Sequence, residues 1–187
     1  MTSTALVPAR SAPPRLGRLF VQAAAFSLIP LAVVVIAVGP SRLAKAMAGL
    51  SALHPHAPRF GLIGQEPLAI KLHLAAVLTA LLIGVVLLVG VKGDTLHRTL
   101  GWTWVAAMMT GAVSSLFIRI LNHGGLSYIH LLTGWTIVAL PMAVAAARAH
   151  KVKVHAGFMT GLFTGGLIIA GLLTFLPGRL MWRMFVG

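Results

Sequence analysis

Four histidines recur in similar company: His73 in "IKLHLAAVL", His97 in "TLHRTLGW", His130 in "YIHLLTGW" and His155 in "VKVHAGFM". Each stands near the start of a long apolar run. Neutral imidazoles facing one another inside a packed set of helices can supply both axial ligands to a low-spin haem b, because iron favours imidazole nitrogen and the macrocycle needs an apolar slot. Gly101 and Gly134 follow His97 and His130 by four residues, one helical turn along the same face, where a missing side chain lets a flat ring approach the backbone. Gly157, Gly161, Gly165 and Gly166 do the same around the last run. The echo "H-x-x-x-G-W", His97 to Trp102 and His130 to Trp135, is the clearest internal repeat.

The elements that carry these residues follow from composition. Hydrophobic residues make up 58% of the chain, charged residues 9%, and the mean hydropathy is +0.96, more than a water-soluble core requires. Runs free of Lys and Arg cover residues 19–41, 72–91, 99–118, 120–147 and 154–178. Each is long enough for a helix to cross a hydrocarbon layer of about 30 Å. The expectation is an all-α polytopic membrane protein with five transmembrane helices, the second to fifth forming a four-helix bundle. Residues 1–17, with three prolines, form a flexible tail, and residues 18–187 form one domain with a loop at 40–69. The run at 19–41 is too long for a secretory leader and reads as a retained anchor. Gln22 is its main polar residue.

Successive spans run in opposite directions, so the starts of the second and fourth share one side of the membrane and those of the third and fifth share the other. His73 therefore pairs by depth with His130, and His97 with His155. The separations, 57 and 58 residues, are those of two copies of one helical hairpin.

A net charge of +13 would suggest nucleic acid in a soluble protein, but here the cations sit beside apolar runs, suited to lipid phosphates. No nucleic-acid role is expected. With the N-terminus cytoplasmic, eight Lys and Arg lie inside and seven outside, and the inner connections are the short ones, where the positive-inside rule has most force. Absent cysteine excludes thiolate metal sites, iron–sulfur clusters and covalent haem attachment. The two acids, Glu66 and Asp94, fall in loops, which argues against ion-coupled transport.

The segments "KGDTLHRTLGWTWVAAM", "IHLLTGWTIVALPMAV" and "GLLTFLPGRLMW" resemble a bacterial family of small integral membrane proteins of unknown function, over roughly residues 70–183. The depth-paired histidines resemble the di-haem transmembrane cytochrome b superfamily, in which four consecutive helices each give one histidine, first pairing with third and second with fourth. That resemblance implies His73, His130, His97 and His155 as ligands of two haems b and a transmembrane oxidoreductase. Its donor would be a quinol or small reductant, its acceptor quinone, ferric iron or superoxide. Arg98, Lys92 and Lys153 would then neutralise haem propionates on the inner side, and Lys71, Arg119 and His123 on the outer.

The same residues also suit other roles. His, Trp and cations are enriched at membrane interfaces and glycines at helix contacts. A non-catalytic accessory or assembly subunit without haem, or a haem or metal carrier, therefore stands as the alternative. His54 and His56 could hold a divalent metal weakly, and the four tryptophans read as an interfacial belt. A redox partner protein is open. So is a homodimer, through the face "GLFTGGLIIAG".

Overall fold

The computed structural model describes residues 32, 44, 48, 56–118, 129–175 and 179–186, and its regular structure is helical throughout. The helices are α1 (Gly61–Gln65), α2 (Leu68–Val89), α3 (Thr95–Ser115), α4 (Ile129–Arg148), α5 (Val152–Leu173) and α6 (Leu180–Phe185). The tail, Gln22, nearly all of the run at 19–41, His54, Arg119 and His123 lie outside the described residues.

Among the described residues three helices are long and apolar enough to cross a membrane: α2, α4 over His130–Arg148, and α5. Pro67, with φ −55°, stands at the entrance of α2, where a proline's missing N–H costs nothing. Only 17% of the most apolar stretch of α2 is buried, so Leu72, Leu78, Leu82, Val85 and Val86 face outward. Such a face is an aggregation hazard in water and is at ease in lipid. The 21 residues of α3 are long enough as well, but Thr95, His97, Arg98, Thr99 and Thr103 crowd its first half and it is not among the apolar three.

The helices pack in sequence, α2 on α3, α3 on α4, α4 on α5, and the middle of α5 returns to α2. That middle is π-helical over Leu162–Ile169, between α-helical Val152–Gly161 and Ala170–Leu173. Ala80 of α2 and Ala139, Leu140 and Ala143 of α4 meet Trp104 and Met108 of α3 and Phe158, Leu162, Phe163 and Leu167 of α5. Small residues on one helix admit large ones from the next, the usual means of close packing where lipid removes the hydrophobic drive. At Gly84 the fit is tight: a Cβ there would lie 2.5 Å from the Phe163 ring and 2.9 Å from Trp104 Nε1.

Trp104 is 3% exposed, packed between helices where a belt residue would face outward; Trp102 is 55% exposed. The difference is one of phase, since two residues along a helix turn the side chain by about 200°. Part of the face "GLFTGGLIIAG" packs inside the chain, with Gly161 and Gly165 buried and Gly166 beside Met108, while Ile168 is exposed.

Both short connections are fixed by local chemistry. Asp94 caps α3 by accepting the His97 backbone N–H at 2.7 Å, and Gly93 takes φ +82°. After α4, the Lys151 N–H donates to Ala146 O at 2.9 Å and the His150 N–H to Ala147 O at 3.0 Å. This is a Schellman ending with histidine, at φ +55°, where glycine is usual.

At the opposite end α6 folds back on the segment before α2. The backbone N–H groups of His56 and Arg59 donate to Phe185 O and Met184 O, and Arg183 pairs with Glu66 at 3.0 Å. Met184, 2% exposed, fills the space beneath, and Phe185 packs on Phe175.

Candidate functional site

His73, the sixth residue of α2, points its ring at the last turns of α3, with Nδ1 2.8 Å from Gly111 O. A carbonyl can only accept, so Nδ1 carries the hydrogen, and in the neutral ring Nε2 keeps its lone pair. Ser114 Oγ stands 3.4 Å from the same Nδ1 and donates to Gly111 O at 3.0 Å. Next to it Ser115 Oγ lies 2.7 Å from Thr133 Oγ1 of α4, joining the two helices by their hydroxyls. His130 is three residues before Thr133, and its Nε2 is withdrawn from solvent. The end of α3 thus links the helix of His73 to the helix of His130.

At the other end, His155 in the first turns of α5 places Nδ1 3.0 Å from Ala143 O of α4. Its hydrogen is fixed on Nδ1 by the same reasoning, with Nε2 left as the basic nitrogen. His97, third in α3, stands at this same end of the molecule. Its Nδ1 is buried and has no hydrogen-bond partner among the described residues. Arg148, at the end of α4, lies over Trp102 with 5.7 Å to the ring centroid, bringing α4 and α3 together at this same end.

The glycines fall into two kinds. A Cβ on Gly84, Gly111 or Gly166 would meet a neighbouring helix at 2.5, 3.1 and 3.5 Å respectively, so these three serve helix contact. A Cβ on Gly101 or Gly134 would meet nothing within 4 Å. Neither of the latter is needed for packing within the described residues.

Three of the cations named from the sequence are engaged with backbone oxygens. Lys71 Nζ donates to Gly64 O at 2.7 Å, Arg98 Nε to Gly93 O at 3.2 Å, and Lys92 Nζ to Leu87 O and Leu88 O at the end of α2. Burial draws the Lys92 ammonium below the ordinary lysine range. His56 Nδ1 stays local, 2.9 Å from Ala57 O. Among the described residues no three of His, Cys, Asp and Glu gather as a metal site; a haem iron asks only two side chains of the protein.

Ser114, Ser115, Thr133 and Thr136, all buried, are polar residues that sequence reasoning passed over. Their signal was available, since hydroxyls inside apolar helices tend to face another helix. No protein family, curated protein or solved structure matches this chain.

Proposed function

We propose that the chain is a cytochrome b-like electron-transfer protein of the bacterial inner membrane, crossing it five times with a cytoplasmic N-terminus. In this reading α2 to α5 form a four-helix bundle holding two haems b, one between His73 and His130 and one between His97 and His155. Single electrons pass from a quinol or small reductant on one face to an acceptor on the other. When bound, each haem b supplies a one-electron ferric/ferrous couple.

The observation that carries this reading is the shared ring state of His73 and His155. At opposite ends, each spends Nδ1–H on a carbonyl of an adjacent helix and keeps Nε2 as a lone-pair donor. That second-shell bond is the one that fixes the tautomer and orientation of a metal-bound imidazole. One ring of each proposed pair is thus prepared as an Nε2 donor, which is what a bis-imidazole group would ask of it. The open space beside the half-buried Gly101, one turn from His97, supports the reading, whereas Gly134 is open because it is exposed. Arg98, Lys92 and Lys153 on one side and Lys71 and Arg119 on the other are the cations offered to propionates.

The test is a dithionite-reduced minus oxidised visible spectrum of the detergent-purified chain, with haem quantified as pyridine haemochrome. About two haems b per chain are expected, and His73→Ala should remove one while His155→Ala removes the other. Colourless protein from haem-replete cells would overturn the reading. The hydrogen bonds of His73 and His155, each of which joins two helices, would then be the staples of an accessory subunit without haem.

A further inference from the structure

Charge is distributed unevenly over the ends of the described structure. The two short connections, α2–α3 and α4–α5, bring Lys92, Arg98, Arg148, Lys151 and Lys153 to one end together with a single acid, Asp94. Asp94 is already committed to the cap of α3. Lys92 and Arg98 are likewise committed, each tied to carbonyls of its own turn. Arg148, Lys151 and Lys153 remain, all exposed, with no carboxylate within ion-pair distance among the described residues. Arg148 is held over the face of Trp102, itself 55% exposed on the neighbouring helix.

An indole at a helix mouth sits at headgroup depth, its body in the acyl region and its edge toward water. A guanidinium on that ring is thus fixed at the level of lipid phosphates, and its planar fork suits phosphate oxygens. Lys151 and Lys153 add two ammonium groups on the same connection, whose backbone is locked by the Schellman ending at His150. The first turns of the helices at this end also expose the apolar side chains of Leu96, Val152 and Val154, which acyl chains can cover.

We infer that Arg148, Lys151 and Lys153, with Trp102 as platform, form a headgroup site for an anionic phospholipid at this end of the molecule. The inference does not rest on haem ligation, since it uses none of the four histidines; Lys153 is the one cation that both readings draw on. It assigns the connections a ligand with one phosphodiester charge and two acyl chains.

The test is thermal unfolding of the purified full chain in neutral detergent micelles, titrated with phosphatidylglycerol. Phosphatidylcholine is the zwitterionic comparison and inorganic phosphate the free-anion comparison. Phosphatidylglycerol should raise the unfolding temperature saturably, and phosphatidylcholine and phosphate should not. The triple variant Arg148→Gln/Lys151→Gln/Lys153→Gln should raise the half-saturating mole fraction by roughly 100-fold, about fivefold per charge removed. Trp102→Leu should weaken binding while leaving the charge intact, and Arg59→Gln, an exposed cation at the other end, should leave the half-saturating fraction unchanged. Equal stabilisation by phosphate would assign the site to free anions and overturn the lipid. An unchanged titration in the triple variant would overturn the site.

Discussion

The ring of His73 and the carbonyl of Gly111 meet at 2.8 Å, tying α2 to α3 across 38 residues of chain. That carbonyl has a second side-chain donor in Ser114 Oγ, which softens the loss of the first. We expect His73→Phe, which keeps a ring in place, to cost about 1 kcal/mol of stability, within the range of interhelical hydrogen bonds in membranes. Adding Ser114→Ala should cost more than the two single losses together. Unfolding of the four proteins in mixed detergent measures this, and strict additivity would mean that the two donors do not share Gly111 O.

Two glycine-to-alanine changes should behave oppositely. Gly84→Ala puts a methyl group against Phe163 and Trp104 and should cost about 1–3 kcal/mol through overpacking, with Phe163→Leu recovering part of it. Gly101→Ala meets no protein atom and should leave the apoprotein as stable or up to about 1 kcal/mol more so. If haem is bound, the same change should displace it while the fold survives. Pigment content and unfolding midpoint, read on one preparation, separate the two effects.

His150→Gly should stabilise the chain by about 1 kcal/mol, because φ +55° is strained for a residue with a Cβ and free for glycine. The gain is smaller than the full left-handed penalty because glycine also loosens the unfolded chain. A valine at 150 should destabilise. Denaturation midpoints of the three proteins decide the order.

Lys92 gives a pH dependence. Its ammonium is partly desolvated at the mouth of α2, so its folded pKa lies below the ordinary 10.5. Between those two values the unfolded chain binds more protons than the folded one, so stability should rise with pH through that window. Because the side chain is exposed, the slope should be shallow and should flatten in Lys92→Gln. A wild-type stability that falls with alkaline pH over that range would contradict it.

Much of the helical order was legible. Uncharged runs at 72–91, 99–118, 120–147 and 154–178 anticipate α2 to α5, yet each observed helix starts or ends elsewhere. Charge-free counting stops at Lys71, whereas the helix continues through it because the lysine reaches back to Gly64 O. At α3 the true signal was Asp94, a capping residue three positions before His97. Consequently His73 lies a full turn deeper than the run implied, while His97 stays at the mouth.

Other features needed three dimensions. The burial of Trp104 depends on the gap left by Gly84 on another helix, and neither position announces the other. The π-helical stretch at Leu162–Ile169 and the left-handed histidine at 150 are settled by packing and by the Schellman bonds, and propensity alone argues against both.

The pairing of Glu66 with Arg183 spans 117 residues. At a synthesis rate of roughly 5–20 residues per second, the acid waits on the order of 6–23 s for its partner to be made. Over that interval Glu66 and the backbone N–H groups of His56 and Arg59 lack the partners that α6 brings, so this end of the fold is the last to be fastened.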